Sequence, residues 1–215
     1  MKNIAIFGAG GFGREVKLII DAINISKPNT YNFIGFFDDG FEKGVIKNGF
    51  PVLGGVNELN EYKEDLSLVV SLGSPEIKSK VLSNITNDKI YFPSLIHPKA
   101  SISTDDVSIG RGCIICEGTI ITCNISIGDF VILNLMCTVG HDTIIKNNCA
   151  FMPSVNISGE VIINENVYVG TGAKIINQLE IGENTIVGAG AVVSKTLPPN
   201  CTAVGIPAKP IKYHN

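Results

Sequence analysis

Residues 155–193 read VNISGEVIINENVYVGTGAKIINQLEIGENTIVGAGAVV, and taken in sixes they place an aliphatic side chain at Ile157, Ile163, Val169, Ile175, Ile181, Val187 and Val193. The same beat runs back without interruption through Phe151, Ile145, Val139, Leu133, Ile127, Ile121 and Ile115 to Ile109. Two residues before these positions, from 107 to 173, the side chain is compact or β-branched, at Val107, Cys113, Thr119, Ile125, Val131, Cys137, Thr143, Cys149, Val155, Val161, Val167 and Ala173. Glycine often follows the large position, at Gly110, Gly128, Gly140, Gly170, Gly182 and Gly188. A helix cannot hold such a series on one face, because six residues turn it through about 600°. Short strands joined by bends can. Three of them close a triangular coil of about eighteen residues, whose backbone pairs with the coils above and below while the aliphatic side chains fill the middle. The pattern predicts a parallel β-solenoid of about five coils, roughly 24 Å tall.

Outside that column the side chains are unusually apolar for a wetted surface. Ile114, Ile120, Ile132, Ile144, Ile162 and Ile186 all fall on outward positions. A column of isoleucines argues for burial against another copy of the chain, and a triangular prism favours three-fold closure. The six cysteines are too sparse for a disulfide framework, and Cys113, Cys137 and Cys149 share the compact inward position, where they pack. Cys113 and Cys116 spell CxxC, but no second pair or suitably spaced histidine completes a zinc site, and no metal is expected.

The first ninety-odd residues have another rhythm. Asn3 to Phe7 is an apolar strand that runs into Gly8-Ala9-Gly10-Gly11-Phe12-Gly13, and Arg14 to Ala22 follows as a helix. Phe33 to Phe37 is a second strand ending in Asp38 and Asp39, and Leu66 to Leu72 a third, followed by a helix from Glu76 to about Leu82. Strand, glycine turn, helix, strand and acid is the order of a nucleotide-binding α/β unit. The glycines let backbone amides at a helix start approach phosphate oxygens, and the acid pair offers acceptors to a ribose or base; a purely structural turn is the competing explanation. A stretch this short holds one mononucleotide half, which suits a nucleoside diphosphate better than a dinucleotide. The expected domains are therefore a Rossmann-like unit over residues 1–95 and a β-helix over 96–215, with Tyr91 to Lys99 as connector.

Seventeen Lys and Arg against 20 Asp and Glu give a net charge of −3, which argues against a nucleic-acid partner. Apolar runs such as Ile4 to Phe7 and Leu68 to Val70 fall far short of the ~20 residues of a membrane span, and no signal peptide is legible, so the expected location is cytoplasmic.

Only three histidines occur. His214 stands near the end, where fraying is expected, and His97 beside Pro98 reads as hinge packing. His141 differs: Val139 points inward and Gly140 is expected to turn the corner, which throws His141 and Asp142 outward. A core-packing role does not account for an outward imidazole beside a carboxylate; the choice lies between a general base and an ordinary surface histidine. Asn134 and Asn156 interrupt the ladder, and either can hold a bend through its own backbone. Gly188 to Val193 and Gly205 to Pro210 leave a small-residue groove, with Lys195 and Lys209 available to phosphates.

The segments GAGGFGRE (8–15), FFDD (36–39), VGHD (139–142) and GIPAK (205–209) carry a resemblance. Over about residues 2–210 the chain resembles the sialic acid O-acetyltransferase and nucleotide-sugar N-acetyltransferase family of hexapeptide-repeat acyltransferases. The resemblance implies a left-handed β-helix, a homotrimer with sites between subunits, acetyl-CoA as donor, and the amine of a nucleotide-linked 4-amino-4,6-dideoxy sugar as acceptor. It further implies His141 as base with Asp142 beside it, Gly8, Gly10, Gly11, Asp38 and Asp39 as substrate-binding, and Gly159, Gly170, Gly188 and Lys209 against coenzyme A; Asn134, as a polar break in the ladder, is a further substrate-binding candidate. Some relatives carry Glu after the histidine where this chain has Asp142. O-acetylation of free sialic acid, zinc-dependent carbonate chemistry and a non-enzymatic nucleotide-binding scaffold are the alternatives. Direct transfer is expected rather than an acyl-enzyme on Cys137, whose inward position buries the sulfur.

Overall fold

A computed structural model describes residues 1–214. The chain forms two compact units, the first spanning Met1–Pro98 and the second beginning at Lys99.

The first unit contains β1 (Lys2–Phe7), α1 (Gly11–Ser26), β2 (Tyr31–Phe37), β3 (Ile46–Lys47), β4 (Phe50–Pro51), α2 (Val56–Asn60), β5 (Leu66–Val70), α3 (Pro75–Asn84) and β6 (Ile90–Tyr91). Its parallel sheet has the order β2-β1-β5-β6, with Phe7 opposite both Phe37 and Val70. Strand β1 is central and buried on both faces, which is why Ile4 to Phe7 is an unbroken apolar run rather than an alternating one. The chain leaves β1 first toward β2 and later toward β5. The carboxyl ends of β1 and β5 therefore flank a crevice of the kind in which α/β sheets bind ligands.

Helix α1 starts within the glycine turn, three residues before its expected beginning at Arg14, and runs four past Ala22. The reason lies at Gly13, where a β-carbon would stand 1.8 Å from the Gly8 carbonyl oxygen: the first helical turn presses onto the end of β1. Helix α3 extends slightly beyond its expected span, with Ser74 accepting from Ile77 N–H at 3.4 Å and Pro75 in the first turn. The β3–β4 hairpin and α2 have no counterpart in the sequence pattern, since elements this short carry no readable periodicity. The segment expected as connector holds two short strands, Ile90–Tyr91 and Leu95–Ile96.

The second unit is the β-solenoid. Strands eighteen residues apart pair in parallel, as Ile120↔Thr138, Thr138↔Asn156 and Asn156↔Lys174 on one face and Ser126↔Ile144 and Ile144↔Ile162 on another. The aliphatic series from Ile115 to Val193 is buried, and the buried hydroxyls of Thr119, Thr143 and Thr185 donate to the carbonyls of Asn134, Ser158 and Pro198. At ~1.5–3 kcal/mol for each large aliphatic side chain, this column is the main stabilising term of the unit.

Gly140 does not turn the corner; the left-handed residue is Asp142, one of a series that includes Asn124, Glu160 and Gln178 at φ values of 56–60°. The glycine after each aliphatic residue is needed for stacking instead: a β-carbon at Gly140 would lie 2.7 Å from Gly159 N, and at Gly170 2.5 Å from Ala189 N. Of the six isoleucines expected to point outward in a column, Ile114 and Ile132 are buried within the single chain (0% and 1% exposed), and the remaining Ile120, Ile144, Ile162 and Ile186 are exposed but distributed over three different sheets, so they form no single column.

His214 is not frayed. Lys209–Tyr213 pairs antiparallel with Cys201–Val204, and His214 N–H donates to the Asn200 carbonyl at 2.7 Å. Among the described residues no helix is long and apolar enough to cross a membrane, and no disulfide joins the cysteines.

Candidate active site

The corner that follows Thr138–Val139 holds the candidate catalytic pair. His141 and Asp142 are both exposed, and Nδ1 of the imidazole lies 2.7 Å from Oδ2 of the carboxylate. Asp142 reaches the preceding side chain because its φ of +58° folds the backbone sharply at that point. An ionised carboxylate only accepts hydrogen bonds, so Nδ1 holds the proton and Nε2 carries the lone pair. The hydrogen bond from His141, with a second from Asn124 Nδ2 to Oδ1 at 3.0 Å, holds the Asp142 carboxyl below the usual carboxylate range. It is thus ionised at neutral pH and stays so well into acid.

The ring has a fixed seat. The His141 carbonyl accepts from Glu160 N–H at 2.8 Å, and Asp142 N–H donates to Cys123 O at 3.2 Å, so the corner is bonded to the coils on both sides. Gly159 lies under the imidazole, where a β-carbon would stand 2.5 Å from Nε2 and Cε1. The structure thus brings Gly159, expected against coenzyme A, against the His141 ring.

On the face leading to this corner, Asn156 Nδ2 donates to Thr138 Oγ1 at 2.8 Å, and Lys174 Nζ donates both to Asn156 Oδ1 and to the Ser154 carbonyl, the latter at 3.0 Å. Asn156 therefore sits in a strand and bridges neighbouring rows rather than holding a bend. Asn134 does hold one: it is buried, and its Oδ1 accepts from Leu135 N–H at 2.7 Å. Gly170 and Gly188 are accounted for by close stacking, the latter against Val204 Cγ1, while Lys209 is exposed. None of these four, Asn134 included, is brought into contact with His141. Cys137 is buried, its thiol pushed up to about 11 by desolvation.

The first unit contributes a second constellation. Gly8, at φ +110°, packs against Ser71, while Gly10 and Gly11 are exposed and have no atom within 4 Å of where a side chain would be. Helix α1 has no side-chain cap at Gly10, so its first amides face an open approach suited to anionic oxygens. Asp38 ties this loop to the end of β2: Oδ2 accepts from Ala9 N–H at 2.7 Å and Oδ1 from Gly40 N–H at 2.8 Å. Asp39 accepts from Val56 N–H at 2.8 Å through Oδ1 and so caps α2. Both acids line a cleft of about 220 Å³ together with Phe41, Lys43, Asn57 and Glu58. Those four carry no readable sequence signal, because they lie on a loop and a one-turn helix without motif spacing. Among the described residues no group of three or more His, Cys, Asp and Glu side chains is placed to hold a metal ion.

Both units match known protein families. Residues 3–85 match the PglD N-terminal domain family and residues 160–195 the bacterial transferase hexapeptide family. The chain is 33% identical to a GDP-perosamine N-acetyltransferase of Escherichia coli O157:H7 over 172 residues, 80% of this chain and 77% of that protein. Its fold superimposes with a TM-score of 0.88 on the H141N mutant of perosamine N-acetyltransferase from Caulobacter crescentus in complex with CoA and GDP-perosamine, at 28% identity, covering 99% of this chain and 98% of the other. The acetyltransferase domain of PglB from Neisseria gonorrhoeae, in complex with acetyl coenzyme A, matches with a TM-score of 0.87 and 31% identity, covering 98% and 99% of the two chains. The solenoid is the left-handed parallel β-helix of these structures.

Proposed function

The chain belongs to the nucleotide-sugar N-acetyltransferases that join a PglD N-terminal domain to a hexapeptide β-helix, and on that premise we propose that it transfers acetyl from acetyl-CoA to the amine of a nucleotide-linked 4-amino-4,6-dideoxy sugar. The observation that carries this is the His141 and Asp142 pair, which leaves a lone pair on Nε2 at the surface of the prism. As the new carbon–nitrogen bond forms at the thioester carbonyl, Nε2 takes the amine proton, the carbon–sulfur bond breaks, and the coenzyme leaves as thiolate. Asp142 keeps the ring in the correct tautomer and stabilises the imidazolium that results. Direct transfer follows, because the Cys137 thiol is buried and protonated at neutral pH.

The first unit serves as the nucleotide-binding domain in this reading. The open amides at Gly10 and Gly11 meet the diphosphate, and Asp38 and Asp39 each keep acceptor capacity for ribose or base. Coenzyme A runs along the later coils toward Gly159, Gly170, Gly188 and Lys209. Ile120, Ile144, Ile162 and Ile186, each more than a third exposed, face neighbouring copies in a homotrimer, with the sites between subunits. Sedimentation as a monomer at micromolar concentration contradicts that assembly. The cytoplasm is the proposed location, a reducing compartment that suits six cysteines without a disulfide.

A thiol-release assay with acetyl-CoA tests the reaction against a panel of nucleotide-linked amino sugars and free sialic acid. Turnover with a nucleotide-linked 4-amino sugar and none with sialic acid is the expected result; the reverse overturns the proposal.

A further inference from the structure

The solenoid stacks its left-handed corner residues one above another, and where these are asparagines they form an amide ladder. Asn148 Nδ2 donates to Asn166 Oδ1 at 2.7 Å, Asn166 to Asn184 at 3.0 Å and Asn184 to Asn200 at 2.9 Å. The corner that bears the candidate base departs from this. Its rungs are Asn124, Asp142, Glu160 and Gln178, all at φ between 56° and 60°. At the second rung a carboxylate replaces the amide, and its two oxygens divide their work: Oδ1 accepts from Asn124 Nδ2 at 3.0 Å, and Oδ2 lies 2.7 Å from His141 Nδ1.

We infer that Asn124 is a positioning residue for the transfer reaction, orienting the Asp142 carboxylate from the coil above so that Oδ2 faces the imidazole. The inference rests on His141 acting as the base. Asp142 is half-exposed, and a carboxylate there can rotate about its χ2 bond into water. Asn124 opposes that rotation: an ionised carboxylate cannot donate, so the rung forms only with the amide nitrogen of Asn124 pointing at Oδ1, which fixes the carboxylate plane. Its backbone is held in turn by Asn124 N–H donating to Asp105 O at 3.0 Å. The proton bookkeeping is then complete along one line, from amide donor to carboxylate to Nδ1–H, with Nε2 left as the acceptor for the substrate proton.

Glycine tolerates the left-handed conformation, so Asn124→Gly removes the amide without straining the corner, and Asn124→Asp keeps the shape while setting a second carboxylate against Asp142. Both are to be compared with wild type, Asp142→Ala, Asn124→Gly/Asp142→Ala and His141→Ala in the thiol-release assay, with melting temperatures measured alongside. Asn124→Gly is expected to lower kcat by about tenfold at unchanged KM for both substrates, a size usual for outer-shell orienting groups. Asn124→Asp should lose more, and Asn124→Gly should have no further effect once Asp142 is alanine. Wild-type kcat in Asn124→Gly, or the same loss with and without the Asp142 carboxylate, overturns the inference while an inactive His141→Ala leaves the base in place. Full activity in His141→Ala instead removes the premise itself.

Discussion

The imidazole of His141 rests on Gly159, one coil further along the solenoid, so closely that a β-carbon at that glycine would lie 2.5 Å from Nε2. The contact accounts for a glycine at a position where backbone geometry does not require one, since Gly159 is not among the residues with positive φ. Its absent side chain is space used by the imidazole.

Gly159→Ala is therefore expected to fold and to displace the ring, because an imidazole can swing away more easily than a stacked coil can move. The expected outcome is a loss of about tenfold or more in kcat, since small misplacements of a reacting group are costly, with a melting temperature close to that of wild type. Steady-state kinetics together with a thermal melt check it.

Asp142→Asn replaces an acceptor by a group that can also donate, so the tautomer with Nε2 free is no longer enforced. A fall in kcat of about a hundredfold is expected, short of the larger loss in a buried triad because Asp142 is half-exposed. The pH dependence has a definite sign. The folded-state pKa of Asp142 is depressed by its bonds from His141 and Asn124, so the stabilisation it provides is present above the usual carboxylate range and lost as pH falls through its lowered value. The stability difference between wild type and Asp142→Asn should therefore be present above the usual carboxylate range and disappear as pH falls through the lowered Asp142 value, which melting temperatures across an acid series check.

Cys137→Ala should retain near-wild-type turnover, with stability lowered by about 1 kcal/mol for the small cavity left in the column. In the folded protein the thiol, held at about 11, should resist alkylation at pH 8 while reacting on denaturation. Mass spectrometry of an acetyl-CoA incubation that finds acetyl on Cys137 would contradict direct transfer.

In the first unit two glycines of the same turn should behave oppositely. At Gly10 there is open space, so Gly10→Val should leave the fold intact and raise KM for the nucleotide sugar about tenfold or more with kcat little changed. At Gly13 the β-carbon would meet the Gly8 carbonyl at 1.8 Å, and Gly13→Ala should destabilise the unit outright. Thermal melts separate the two.

The solenoid was legible because its period is enforced at every coil: Val169 and Val187 must both point inward, and no inserted loop breaks the count. The αL corners at Asn124, Asp142, Asn148 and Asn166 follow the same period, and the recurrence of Asn and Asp there was a readable signal that the glycines obscured. The contact between His141 and Asp142 was less accessible, since adjacent residues meet only when the backbone between them takes an unusual φ. Two features had no sequence signal: the burial of Ile114 and Ile132, because long-range covering leaves no local pattern, and the seat at Gly159, because it joins residues one coil apart in space. The small elements around Phe41, Lys43 and Glu58 depend on capping bonds such as Glu58 Oε2 accepting from Gly55 N–H at 2.8 Å, which fix a one-turn helix that propensity alone does not.

The most direct test is His141→Ala, assayed for release of coenzyme A thiol with a nucleotide-linked 4-amino sugar while binding of both substrates is followed by calorimetry. A fall in kcat of ~10²–10⁴ with both dissociation constants near wild type is the expected result for a lost general base. Turnover within a few-fold of wild type would contradict it.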